Sequence, residues 1–446
     1  MSGPGVTPLH SLSHRVRWRI FAFLFAFGFI AYVQQKGLTV AAQQMMPALQ
    51  LSQKQIGWLE WAFVLGYATC QFPGGVLGQA LGARRTFFII GLLAFAGTIL
   101  TPLAPLALGG MALYASLLLL QLVVGVAQGP IFPVSSGVME AWFRPERWPL
   151  VQGLQSAALQ FAAAATPPLV GYLMVRWGWQ WALFWPALPA LLVVGLWAWY
   201  GRNAPAEHPH VSPEELVELQ RSHAVAPTPL TWIRLRRLLS DRSILLLTFS
   251  YVCMNYVFYL ISNWCFLYLV QERHFSLLES SWLATLPPLA AGVGAALGGP
   301  LVLRACSRYG ERRGFQLVPM VALPTTGVLL LVTIHLANPY AAVGALALAY
   351  LVVELSEGPF WAASMQLGRR DAMAAGGILN TGGNGGGLIG IPIVAALSGS
   401  GHWSTAFVIG AASALLGALA WLGIDASRAV GEQAPAATAF GQPQGI

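Results

Sequence analysis

Apolar runs of about 20 residues or more, the length that crosses the roughly 30 Å hydrocarbon core of a bilayer, recur along nearly the whole chain. They place about twelve spanning helices near 18–46, 54–80, 86–102, 110–139, 149–174, 179–200, 243–270, 276–303, 314–336, 340–366, 372–398 and 403–424. Polarity does not alternate within these runs, which points to helices rather than a barrel, since every backbone group in lipid needs an internal partner. The expected class is an all-α polytopic membrane protein. One run differs from the others. Tyr350–Gln366 sets Glu354, Glu357 and Trp361 on one helical face and carries Gly358-Pro359 within it. An ionisable group at membrane depth costs about 2.5–3.5 kcal/mol on insertion scales, so this face is expected to look onto protein or an aqueous pathway.

The pattern repeats. An offset of 224 carries Ser52 to Ser276, Trp58 to Trp282, Gly74-Gly75 to Gly298-Gly299, Gly153 to Gly377 and Trp179 to Trp403. The Gly82-Ala-Arg-Arg turn matches Gly310-Glu-Arg-Arg at 228, and Gln128-Gly-Pro matches Glu357-Gly-Pro at 229. Two six-helix halves in the same orientation follow, at 15–200 and 242–424, flanking a polar loop at 201–241. Parallel duplication of this kind is used by alternating-access carriers that hold substrate between the halves. Residues 1–14 and 425–446 are polar or rich in Ala, Gln, Gly and Pro and are expected to be disordered. Within the loop, Ser212-Pro-Glu-Glu reads as a helix start, and Trp232-Ile-Arg-Leu-Arg-Arg as a basic amphipathic helix on the membrane surface.

Composition narrows the class. The chain has 446 residues, 56% hydrophobic and 9% charged, with a mean hydropathy of +0.63, well beyond a soluble domain. Of 24 Lys and Arg residues, 20 fall on one side of the expected bilayer. The positive-inside rule makes that side, and both termini, cytoplasmic, and predicts a multi-pass protein of the inner membrane. The net charge of +8 is then a feature of helix ends beside an anionic leaflet, and nucleic-acid binding is not expected. The four cysteines lack metal-ligand spacing, no signal peptide is visible, and no nucleophile–base or metal pattern appears, so neither an enzyme nor a cofactor or metal site is expected.

Polar positions inside the runs supply the candidate site. Tyr32, Gln35 and Thr39 share a face of the first helix beside Lys36, and this face suits a cavity wall or a helix seam. Tyr67 lies on the second helix, Gln121 and Gln128 on the fourth before Pro130 and Pro133, Gln155 and Gln160 on the fifth, and Asn380 and Asn384 beside the Gly382–Gly387 run. Lys36 is the one cation near these positions and is a candidate carboxylate ligand, or it snorkels to the outer interface. Glu357, and after it Glu354, are candidates to carry protons, or are hydrogen-bonded structural acids where the halves meet.

Phe72-Pro-Gly-Gly-Val-Leu through Gly82-Ala-Arg-Arg85 resembles the loop between helices two and three of major facilitator superfamily carriers, and the likeness spans roughly residues 15–425. Tyr32-Val-Gln-Gln-Lys-Gly, Gln71-Phe-Pro-Gly-Gly, Gly129-Pro-Ile-Phe-Pro, Trp142-Phe with Glu146-Arg147, and Asn380-Thr-Gly-Gly-Asn resemble the anion:cation symporter family, which includes galactonate, glucarate and hexuronate carriers. That resemblance implies the major facilitator fold, alternating access, and a substrate site at Tyr32, Tyr67, Trp361 and Asn380. It makes Gly75, Gly82, Arg84 and Arg85 parts of the cytoplasmic gate. The chain also departs from the family. Its helix-one Asp-Arg pair is Gln34-Gln35 here, its helix-four Arg is Gln121, and its helix-four acid is Gln128. Its loop Asp-Arg is Gln79-Ala80, which removes a charged gate latch.

The expected function is secondary transport of a small organic solute by a monomer, an organic or sugar-acid anion by resemblance, with proton coupling through Glu357. A site rich in amides equally suits a neutral or zwitterionic solute, because amides bond hydroxyls without offering fixed charge. A carrier-like sensor that binds without transporting is the competing class, and the loop of about 40 residues offers no appended signalling segment for it.

Overall fold

The structure, a computed structural model, describes residues 10–213, 216–217 and 230–430. The first half contains α1 (His10–Leu49), α2 (Gln53–Leu81), α3 (Ala83–Ala107), α4 (Gly110–Gln128), α5 (Ile131–Trp142), α6 (Trp148–Trp177), α7 (Trp179–Phe184) and α8 (Leu188–Tyr200). A short α9 (Trp232–Ser240) precedes the second half, which contains α10 (Arg242–Gln271), α11 (Leu277–Leu283), α12 (Leu286–Tyr309), α13 (Glu311–His335), α14 (Pro339–Glu354), α15 (Glu357–Gly368), α16 (Ala372–Gly399) and α17 (Trp403–Ala420). Four expected rods are jointed, as α4–α5, α7–α8, α11–α12 and α14–α15, so these helices form the expected pattern of twelve rods. Among the described residues, ten segments are long and apolar enough to cross a membrane, and one of them, Pro339–Ser398, holds two rods. α2 is not among the ten, its run being diluted by Glu60, Gln71 and a Gly-rich end.

The duplication reaches the level of single hydrogen bonds. Ser52 caps α2 in a reciprocal box with Gln55, and Ser276, its counterpart, caps α11 in the same box with Glu279, each pairing orphan N-terminal donors. Gly82 (φ +82°) and Gly310 (φ +80°) turn α2 into α3 and α12 into α13. Both take a backbone conformation that a Cβ disfavours.

The halves meet along glycine seams near the face that carries the basic loops. A Cβ on Gly153 of α6 would lie 2.3 Å from the Ala295 carbonyl oxygen of α12, and one on Gly75 of α2 would lie 2.5 Å from that of Met373 of α16. Backbones can approach this closely only where one side chain is absent. Two terminal expectations are corrected. α1 begins at His10, inside the stretch expected to be disordered, and residues 1–9 lie outside the described residues. At the other end, Ala426 and Ala429 are buried, and the Val430 N–H donates to the Leu367 carbonyl at 2.9 Å. Small residues let the chain tuck under α15, and residues 431–446 are not described. The Ser212 helix start falls largely on residues outside the described set.

Candidate functional site

The site is built on the joint in the tenth rod. At its end, the Leu355 N–H donates to Leu351 and Val352 and the Ser356 N–H to Val353, which tightens the last turn before the helix restarts. Glu354 is therefore the last residue of α14 and Glu357 the first of α15, where the N-terminal end of a helix dipole favours a carboxylate. The fourth rod is jointed at the corresponding place, Gly129-Pro130, with Gln128 ending α4. Such joints are tolerated at membrane depth where they face protein or a cavity.

Glu357 Oε1 accepts from the Tyr251 hydroxyl at 2.7 Å and from Trp361 Nε1 at 2.9 Å. Glu357 as a residue is half-buried. Trp361 is 2% exposed and lies between Tyr251 and Phe132, the latter brought from the other half at 5.9 Å between ring centroids. Glu354 is 1% exposed, and Gln160 of the first half reaches it and Tyr350. On α16, Asn384 Oδ1 accepts from the Tyr259 hydroxyl at 2.7 Å while its Nδ2 donates to the Asn380 carbonyl at 2.8 Å. Asn380 is also the side-chain partner of Tyr67 from α2. Lys36 Nζ sits 5.5 Å from the centroid of the Tyr32 ring. Glu60 is within electrostatic range of Lys36, which makes no ion pair among the described residues.

The cleft between the halves widens away from the basic loops. Along one face of α10, Tyr251 is buried, Asn255 and Tyr259 are half-buried and Asn263 is exposed. Along α1, Tyr32, Gln35 and Lys36 are half-buried and Thr39 and Gln43 are exposed. Tyr32, Lys36, Tyr67, Glu357, Trp361, Asn380, Asn384 and Gln160 are thus brought together, and Gln35 is half-buried on the same helix as Tyr32.

Three of the amides lie elsewhere. Gln128 Nε2 donates to Gln34 Oε1 at 3.0 Å, both buried inside the first half. Gln121 Nε2 turns to Thr101 of α3 at 3.4 Å, and Gln155 Nε2 donates to Ser135 of α5 at 2.7 Å. Each of these side chains has a hydrogen-bond partner in its own bundle, and Gln155 Oε1 and Gln34 Nε2 are buried without one. A polar helical face reads as a wall or as a seam with equal ease, and here it is a seam. The gate residues also divide. Gly75 meets the opposite half, as described above. Gly82 and Arg84 do not: the Arg84 N–H donates to Asn203 Oδ1 at 2.9 Å and its guanidinium to the Ala198 carbonyl, fixing the turn to the end of α8, while Arg85 is exposed. Gln79, expected to have lost a latch, donates across the halves to Asp371 at 2.7 Å.

Tyr251, Tyr259 and Tyr350 escape the sequence reading because tyrosine in an apolar helix also reads as packing or interface. A signal was present for one of them, since the 224 offset carries Gln35 onto Tyr259. Among the described residues, no group of three His, Cys, Asp or Glu could hold a metal ion.

Comparison with known proteins bears on the family and the fold. Residues 24–373 match the model of the Major Facilitator Superfamily. The chain is 28% identical over 406 residues to a probable sulfoacetate transporter, SauU, of Cupriavidus necator, covering 89% of this chain and 91% of that one. It is 28% identical to a probable galactarate/D-glucarate transporter, GarP, of Escherichia coli, covering 72% and 74%. It is 26% identical to a hexuronate transporter of Bacillus subtilis, covering 90% and 93%. Among solved structures, the fold is similar to FucP in the outward conformation, with a TM-score of 0.71 at 15% identity over 92% of this chain and 99% of that one.

Proposed function

Because the chain belongs to the Major Facilitator Superfamily, and is therefore a multi-pass membrane transporter rather than an enzyme, we propose that it carries a small organic acid together with a proton. The observation that supports this reading is that each half contributes a charged side chain among the clustered polar residues, Lys36 from α1 and Glu357 from α15. Lys36 offers an ammonium to an acid group, with Tyr32 beneath it holding the side chain in place. The Tyr259–Asn384–Asn380–Tyr67 series offers donors and acceptors to hydroxyls. Glu357, with Tyr251 and Trp361 donating to its Oε1, is the group that takes up and releases the proton. The relatives named as carriers of sulfoacetate, galactarate or glucarate, and hexuronate support an acid as substrate.

With the basic face in the cytoplasm of an inner-membrane protein, the cleft described above is open to the outside. Transport is then a rocking of one half against the other, with the glycine seam parting as the cleft closes. A monomer suffices, because the cleft lies within one chain.

Uptake into proteoliposomes tests this reading. Labelled glucarate, a hexuronate and sulfoacetate should accumulate under an inward proton gradient, while glucose and glycine should not. Accumulation of a neutral sugar alone would instead favour the second reading, a carrier of neutral solutes, for which the hydrogen-bonding series on α16 is the supporting observation. Saturable binding of an acid with no flux would favour a sensor.

A further inference from the structure

One polar contact that crosses the basic end of the molecule is built around Asp371, between α15 and α16. Gln79 Nε2 of α2 donates to Asp371 Oδ1 from the first half. Arg234 of α9 grips the same carboxylate from the linker, with Nε to Oδ2 at 3.0 Å and a second guanidinium nitrogen on Oδ1. Asp371 is buried and Arg234 half-buried, their side chains 9% and 13% exposed. Arg234 is held in place by its own helix. Thr231 caps α9 by accepting from the Arg234 N–H, and Leu238, one turn on and on the same face, is 2% exposed. Trp232, Ile233, Arg236 and Arg237 occupy the exposed side.

We propose that Arg234 makes the linker between the halves a working part of the gate, by neutralising Asp371 in the state where the basic end is closed. Asp371 lies two residues from Met373, whose carbonyl oxygen is the one that approaches Gly75, so the carboxylate loses water when this seam forms. A buried carboxylate is tolerated only with a charge partner and filled hydrogen bonds. Gln79 leaves with the first half when the seam parts, and water then solvates Asp371. The contribution of Arg234 is therefore largest in the closed-end state, and its loss shifts the balance toward the opposite state. Gln79 fits this arrangement because its amide donates. An aspartate there would set a second carboxylate against Asp371.

Hydrogen–deuterium exchange on the full-length protein in nanodiscs tests the proposal without any transported solute, so its failure is separate from that of the substrate reading. Arg234→Gln should raise exchange at least tenfold in the 71–79 and 372–380 segments and leave 311–335 unchanged. Arg234→Lys should retain most of the protection. Arg234→Gln with Asp371→Asn, which removes both charges, should recover it. Gln79→Asp, with Arg234 intact, should open the same segments. Wild-type protection in Arg234→Gln, or no recovery in the double variant, would overturn the proposal. Should Arg234→Gln fail to fold, protection of the same segments in Gln79→Asp would overturn it as well.

Discussion

The two halves share a capping box and a glycine turn at matching positions, yet their centres are chemically unlike. At the joint of the fourth rod, Gln128 meets Gln34, an amide against an amide, sealed inside the bundle. At the matching joint of the tenth rod, Glu357 meets Tyr251 and Trp361 and stays in touch with the cleft. The first half holds its joint amides in internal hydrogen bonds, and contributes Lys36, Tyr32, Tyr67 and Gln160 to the polar cluster between the halves. The second half contributes its acid, Glu357, and the Tyr259–Asn384 pair. On the function proposed above, the duplicated scaffold separates structural polarity from working polarity, and the amide for acid exchange between Gln128 and Glu357 marks the division.

The strongest way to break this comparison is to make the joints alike. Glu357→Gln should abolish accumulation driven by a proton gradient while leaving counterflow exchange, as measured in proteoliposomes. Retained pH-driven accumulation would remove Glu357 from coupling. Lys36→Gln comes next. It should raise the KM for an acid substrate by about tenfold, the scale of one lost charge-assisted bond, and leave that for an uncharged analogue unchanged. Equal loss for both would mean that Lys36 holds shape rather than charge.

Smaller effects sharpen the internal side. Gln128→Leu alone strands the Gln34 amide and should cost about 1–3 kcal/mol, whereas Gln34→Leu with Gln128→Leu should recover most of it, because removing both partners leaves no unsatisfied group. Thermal unfolding of both variants reads this, and a double variant as unstable as the single one would reassign the pair to the transport path. The smallest change is expected from Tyr259→Phe. It removes one neutral hydrogen bond to Asn384, about 1 kcal/mol or some fivefold in affinity for a hydroxylated substrate.

Much of the architecture is legible in the sequence because the bilayer imposes it. Run length, the one-sided distribution of arginine and the 224-residue offset are consequences of hydrocarbon thickness, leaflet charge and duplication, and each can be read without coordinates. Trp361 against Glu357 is legible too, being a contact within one helix. Gln34 with Gln128, and Gln79 with Asp371 and Arg234, are not, since these partners are 94, 292 and 137 residues apart and only packing decides which neighbour satisfies a buried amide or acid. Gln121 shows the same limit. Its helical face is set by its spacing, but whether that face meets water or Thr101 depends on where α3 lies.

The seam of Gly75 and Gly153 has a thermodynamic consequence of its own. Surfaces closed by long side chains must freeze rotamers each time they meet, at roughly 0.5–2 kcal/mol per chain, and release them each time they part. Here the approaching surfaces are largely backbone, already ordered within helices, so contact withdraws little configurational freedom and separation returns little. A joint of this kind makes and breaks with small entropy changes in either direction, which leaves the balance between its two positions free to be set by the few charges bound beside it.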